Sequence, residues 1–567
     1  MSRRYACALP ILVAALAATP ATGQGDPQSP MQGVQNRPAV RLETDFYAYG
    51  PGIGFTDPEL SLEIDPNGFA EPVTLFLYWQ DREGGNGTRL YFNAHAGVTP
   101  TERDVLSADA TPARIFLPAL EGFEFFGPAG AFGPVPAEIP SGTGRYMFIV
   151  EVRNAAATAV LSRSVAMYNH VDGLMNVSGS IAANQTWTRN NLYRVASPVN
   201  VQSGATLTIE PGTIVIGSKG GQGVLVGRRG SQIVANGTMW NPIVMTSEFP
   251  VGERAPGDWG GIVMSGDAPA NCDQTANGCA GEGDSGFYGG DDPNGSCGSL
   301  TFLRVEFAGI RFSEENELNG IALQGCGSGT VIENVEILWN KDDGIEFFGG
   351  LVNARNVLVV DSQDDSLDWT GGWQGKLQHF VGIQRHNNGN FGIEADNQEL
   401  GHDLLPRSAP TIANATFIGN RRLGPVEPGD GMILRRGTAG TLRNFIVFSF
   451  PDEAIEIADA STESRLGTEL TLNGMILFDN VNLGEDAITN DYIADPANGI
   501  LLVNPLLPNP NSIIQPDVAP LPGSPARNAG NAADTPADPF FVNAPYLGGV
   551  NPQSPWTWAP WISYADN

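Results

Sequence analysis

The sequence predicts an all-β chain in which a long solenoid of short strands follows a small antiparallel β-sandwich. Three observations carry that reading. Gly 70 and Pro 42, with only 16% charged residues, suit many turns and short strands better than long surface helices. An acidic motif, Asp342-Asp343-Gly344-Ile345-Glu346, returns 22 residues later as Asp364-Asp365-Ser366-Leu367-Asp368, and each copy ends in a Gly-Gly pair. Apolar runs headed by Asn recur at a similar interval, the signature of stacked structural repeats.

Residues 1–23 read as a secretory signal. Arg3-Arg4 is a basic start, Ala6 to Ala18 an apolar core, and Ala21-Thr22-Gly23 a small-residue cleavage region. The expected location is therefore secreted, extracellular or on the cell surface, with the periplasm as the alternative. No apolar stretch reaches the ~20 residues that a membrane-spanning helix needs. A short linker, 24–37, follows.

Residues 38–172 read as an Ig-like β-sandwich. Alternating or β-branched runs at 59–65, 73–80, 89–94, 146–152 and 159–168 are divided by Gly/Pro-rich loops. No catalytic cluster stands out among them.

The texture changes near residue 177. One strand series places Asn334, Asn356, Asn414, Asn444 and Asn473 before an apolar run, with His379 filling the slot between the second and third. A second series reads small, apolar, variable, apolar at 320, 344, 366, 392, 431 and 454. Its intervals are 22 to 26 residues except for one of 39, which implies an inserted loop. Two strands per period with turns between them define a solenoid over 177–530.

"TLTIEPGTIV" (206–215) and "GSPARNAG" (523–530) complete a resemblance to secreted bacterial right-handed parallel β-helices of the pectin-lyase-like class. That likeness implies a stack of coils and a groove that binds or cleaves polysaccharide. Polygalacturonases of this class pair an Asp-Asp rung with His-Gly and Arg-Ile-Lys motifs. This chain has Asp364-Asp365 but neither partner, and it lacks the Arg-x-Pro-x-x-Arg of pectate lyases. No enzyme family's catalytic set carries over. The last stretch, 531–567, is aromatic and Pro-rich, and is expected to cap the open end of the helix; a sugar-binding platform is the alternative.

Strand alternation assigns the acids a face. With Ile345, Phe347, Leu367, Trp369, Ile393 and Ala395 pointing inward, Glu346, Asp368 and Glu394 point outward in one row about 4.8 Å apart. Asp343 and Asp365 stand at the preceding turn, and Asp396 lies two residues past Glu394. Neighbouring carboxylates repel by roughly 1 to 3 kcal/mol, so the row needs a remedy. Ca²⁺ held by Asp343, Asp365 and Asp396 is one, because that ion takes several oxygen ligands. Raised pKa values with catalysis by Glu346, Asp368 and Glu394 are another, with Arg436 or Lys341 as the base if the reaction is an elimination. Nearby arginines, among them Arg407, Arg435 and Arg436, are a third, and a solvating face, with turn aspartates capping backbone donors, is the remaining reading.

Four cysteines remain beyond the signal, Cys272, Cys279, Cys297 and Cys326. An even count in an exported protein implies two disulfides with three possible pairings, stapling a loop at 266–298. The net charge of −31 argues against nucleic acid and against unaided attraction to polyanionic glycans. Two functions remain. One is a monomeric β-helix protein that binds or cleaves polysaccharide through an acidic, Ca²⁺-dependent groove, as a lyase or a hydrolase. The other is a non-catalytic structural or adhesive protein that meets a cell-surface component.

Overall fold

In a computed structural model of the protein, the described residues are 39–44, 47–53 and 144–566, together with the backbone of strands between 59 and 128. Residues 155, 157, 159, 221, 273–276, 314–315, 387–388 and 425–428 are excepted. The signal and linker expected over 1–37 lie outside this set. Two compact units emerge. One comprises residues 1–173 with 514–517 and 563–566, and the other residues 174–513 with 518–562.

The first unit holds two sheets. Val40–Thr44, Glu59–Ile64 and Phe123–Pro128 pair antiparallel in one. In the other, Gly144–Asn154 lies between Val73–Asp81 and Val160–His170, antiparallel to both. Each strand run expected from the sequence falls on one of these two sheets or on the short strand Arg89–Phe92.

The second unit is a right-handed parallel β-helix. Twenty-four strands follow one another in chain order, and through the repeats of the second unit each pairs in parallel with its counterpart one coil on. Inward positions stack identical chemistry on itself. Val335, Val357, Phe380, Ala415, Phe445 and Met475 are in register and all fully buried. Burying a side chain of that size contributes about 1.5 to 3 kcal/mol, so the ladder itself drives the stack.

The coils have three facets where the sequence suggested two strands. Each long strand is bent at one residue with positive φ: Phe302, Asn334, Asn356, His379, Asn414 and Asn444 occupy the same register position. Asn visits left-handed backbone at lower cost than other side chains, which explains its recurrence. The last member differs from the expectation. Asn473 pairs with Arg443, and the bend falls on Gly474 at φ +64°.

The paired glycines of the repeat are explained by close approach. Gly350 has φ +74°, and a Cβ there would sit 2.3 Å from the Cys326 carbonyl oxygen. Gly372, at φ +90°, would place one 2.3 Å from the Pro406 carbonyl oxygen.

Regular pairing ends at Ile500–Leu501, short of 530, and the helix Ala487–Ala494 packs Ile493 into the end of the core. The aromatic tail is the segment expected to cap the open end. It returns along the flank of the stack, where Asn444 Nδ2 donates to the Ala533 carbonyl (3.0 Å) and Asn414 Nδ2 to that of Tyr546 (2.7 Å). Further back, Lys376 pairs with Asp538 at 2.5 Å and Trp561 meets Phe302 edge-on. The bend asparagines carry amides outside the core, and these hold the tail. Among the described residues no helix is long and apolar enough to cross a membrane.

Candidate functional site

The short strands Ile321–Gln324, Ile345–Phe348, Leu367–Thr370, Ile393–Asp396 and Ile433–Arg435 form one facet. Their pairing sets Ala322, Glu346, Asp368, Glu394 and Ile433 in one outward row. Three acids therefore stand on three successive coils, one strand spacing (about 4.8 Å) apart. In the turn just before, Asp343 Oδ1 accepts from the Asp365 backbone N–H (3.0 Å), and Asp365 Oδ1 from that of Phe391 (2.9 Å). Each turn aspartate thus holds the next coil in place with one oxygen.

The row is walled rather than open. The disulfide-bearing excursion after Ser265 folds back over this facet. Ala270, Cys279 and Tyr288 pack with Leu318 on Val226, Val263, Ala322 and Phe348. Cys272 bonds Cys279, and Cys297 bonds Cys326, so one bridge closes the excursion on itself and the other ties its base to the stack.

Under that wall Glu346 is 7% exposed, Asp343 6% and Asp365 2%. Asn319 Nδ2 donates to Glu346 Oε2 at 2.6 Å and lies 3.5 Å from Glu282 Oε2. Burial raises the pKa of Asp343, Glu346, Asp365 and Asp368 well above the carboxylate range, and in each case a neighbouring carboxylate adds to the rise. Burial and Glu317 push Glu282 up to about 8. Glu394 rises through burial to about 7, with Arg435 opposing the shift. The acids share protons as a set, because each charge raises the cost of the next.

Oxygen atoms of Asp343, Asp365 and Asp368 lie within 4.8 Å of one another, as do those of Glu317, Asp342 and Asp364. Asp368 Oδ1 is buried with no hydrogen-bond partner. Asp396, expected beside Asp343 and Asp365, is instead held by Arg435 at 2.9 Å and Arg436 at 2.6 Å. Arg435 also pairs with Glu394. Arg436 reaches Glu399 at 3.5 Å, and Lys341 Nζ donates to Gln363 at 2.7 Å.

Three participants escaped the sequence reading: Glu282, Glu317 and Asn319. Asn319 had a signal, since it precedes Gly320 as Asp343 precedes Gly344. Asp430 takes that same slot later, and its Oδ1 accepts from the Glu453 backbone N–H at 2.9 Å. It belongs to a further acid group with Asp452 and Glu453. Glu282 and Glu317 arrive on non-repeating loops and had none.

A family model described as "Pectate-lyase like beta helix domain" matches residues 179–499. No curated protein matches the chain. Among solved structures, two catalytic domains of GH87 alpha-1,3-glucanase in complex with tetrasaccharides are similar at 10% and 8% identity, with TM-scores of 0.28 and 0.24. They cover 81% and 80% of this chain and 98% and 96% of their own. The Yersinia enterocolitica family 28 exopolygalacturonase is similar at 10% identity and TM-score 0.20, covering 78% of this chain and 92% of its own. Likenesses at these scores carry no argument about chemistry.

Proposed function

The chain belongs to the pectate-lyase-like β-helix domain family, and on that premise we propose that it binds and cleaves a polysaccharide, outside the cytoplasm, at the acidic row of Glu346, Asp368 and Glu394. Two disulfides suit an oxidising compartment.

The observation that carries this reading is the burial of the acids. A solvating face leaves its carboxylates in water, whereas Asp343, Glu346 and Asp365 are nearly enclosed. An ionised carboxylate out of water costs several kcal/mol unless it is paired. Retaining several side by side requires protons or a cation, and both are instruments of glycan chemistry.

Asp343, Asp365 and Asp368 fit Ca²⁺: the donors are hard oxygens, and Asp368 Oδ1 is buried without a partner. A bound ion would supply neutralising charge there. Glu394, with a pKa near 7, suits proton donation to a leaving oxygen near neutral pH. Asp368, one coil away at about 4.8 Å, belongs to the ion site in this reading, so the carboxyl spacing permits hydrolysis without choosing retention or inversion. Elimination has less support, because Arg436 and Lys341 are both engaged elsewhere.

Purified protein incubated with a polysaccharide panel, with Ca²⁺ or chelator, should release saturated reducing ends. Glu394→Gln should cut the rate by about 100-fold or more without lowering the melting temperature. Unsaturated uronate products would replace hydrolysis with elimination. A non-catalytic surface role is favoured by one observation, the use of Asp343 and Asp365 to hold the next coil; binding without any product would select it.

A further inference from the structure

The returning tail walls a second groove, on the facet of the long strands rather than that of the acids. We infer that this groove is a subsite for a neutral glycan chain, held through its hydroxyls. The open cavity there measures about 720 Å³, within the ~300 to 1,000 Å³ of small-ligand sites. Strand alternation builds its floor. Ile412 and Leu442 are fully buried, so Thr411, Thr441 and Arg443 face outward on the strands Thr411–Ile418 and Gly440–Phe448. Thr411, Thr441 and Thr471 share one register position on three successive coils. They stand about 4.8 Å apart, close to the advance of one sugar unit in an extended chain. The wall is the tail at Asp534, Thr535 and Asn543. Asn444 pins it by exchanging two hydrogen bonds with Ala533 (3.0 and 2.7 Å), and the Lys376–Asp538 ion pair at 2.5 Å pins it again.

Two unpaired charges of opposite sign choose the ligand. Arg443 Nη1 donates to the Asp534 carbonyl at 3.1 Å, yet among the described residues no carboxylate pairs with the guanidinium. By contrast, Arg407, Arg435, Arg436 and Arg465 each hold a carboxylate. Asp534 is exposed, and its carboxylate has no partner among the described residues either. A carboxylate on the ligand would satisfy Arg443 and be repelled by Asp534, and an ammonium would do the reverse. A sugar hydroxyl both donates and accepts. Adjacent hydroxyls of one ring therefore serve both charged groups at once, with Thr411, Thr441 and Asn543 as neutral partners beside them. The pinned wall holds these groups in place before the ligand arrives, which spares part of the ordering cost of binding. The subsite does not require turnover at Glu394.

The test is calorimetric titration of the full-length protein, in a Glu394→Gln background that blocks turnover, with cellohexaose, xylohexaose, mannohexaose and hexagalacturonate. At least one neutral hexasaccharide should bind, and Arg443→Ala and Asp534→Asn should each weaken that binding about fivefold or more. Thr441→Val keeps the shape and loses the hydroxyl, and should weaken it about threefold. None of the three should lower the melting temperature. Equal affinity in all three variants, or no binding of any neutral hexasaccharide, overturns the subsite. Tighter binding of hexagalacturonate that Arg443→Ala abolishes overturns the neutral ligand class. Product release by the wild type together with binding that ignores Arg443 removes this inference alone. Binding that depends on Arg443, with no product from any glycan, keeps it and removes the catalysis proposed above.

Discussion

A carboxylate on the outer face of a sheet costs little while water reaches it and a great deal once a loop closes over it. Glu346 and Asp368 share one register row, yet Glu346 answers to Asn319 and Glu282 from the loops above it, and Asp368 to Glu394, Asp396 and Arg435. Asp368→Asn removes one charge from the most crowded point. In calcium-free buffer near pH 8 it should therefore raise stability by about 1 to 3 kcal/mol, read as a shift in the urea midpoint, while activity falls. A loss of stability would mean that the attraction of Arg435 outweighs the neighbouring carboxylates at Asp368. Gly350→Ala tests the opposite kind of residue. Its left-handed backbone and the Cys326 carbonyl 2.3 Å from the new Cβ should cost about 2 kcal/mol or more. The acid row itself was legible, because strand alternation places each outward residue from the sequence alone. The fate of Asp396 was not, since Arg435 and Arg436 compete for it across a register that includes the inserted loop.

The repeating element is a short strand followed by a bent long one, and the bend residue does two jobs. Asn414 accepts left-handed φ and also donates to the Ala544 and Tyr546 carbonyls of the tail. Asn414→Gly keeps the backbone and loses the amide, whereas Asn414→Ala loses both. The expected costs are about 1 to 2 and about 2 to 3 kcal/mol, the difference being the left-handed penalty; equal costs in urea melts would show that only the amide matters. The excursion over the acid facet depends on its bridges in the same way. Cys272–Cys279 closes 7 residues and Cys297–Cys326 closes 29. Cys297→Ser with Cys326→Ser should cost about 3 to 4 kcal/mol, and the shorter pair less, because loop entropy grows with length. The period was visible in the sequence; the three facets were not. One left-handed residue bends a strand without altering its apolar spacing.

Across the whole molecule the acids couple folding to pH, and the sign follows from their raised values. Glu394 rises from 4.5 to about 7, Glu282 from 4.5 to about 8 and Asp430 from 3.8 to about 9. A group whose folded pKa lies above its unfolded one binds extra protons only in the folded state. It costs stability as pH climbs from the unfolded value to the folded one. Stability, read as the melting temperature, should accordingly fall between pH 5 and pH 9, by an amount on the order of a few kcal/mol per group. Millimolar Ca²⁺ should restore much of the loss at the alkaline end by taking the place of the protons. A flat profile without added metal would remove the electrostatic account of the cleft. The returning tail is a further property of the molecule as a whole. Its aromatic residues were legible as a cover for exposed structure, but their course from Asn444 back to Phe302 was not. By itself the sequence determined the stack, its period, the inward ladders and the outward row of acids, because each coil repeats the contacts of its neighbour and register is a nearest-neighbour property. Only the tertiary structure decided that the row is buried, which arginines are spent and where the tail lies. Those outcomes come from loops that occur once, meet residues far away in the chain and change the local dielectric without leaving any period to read.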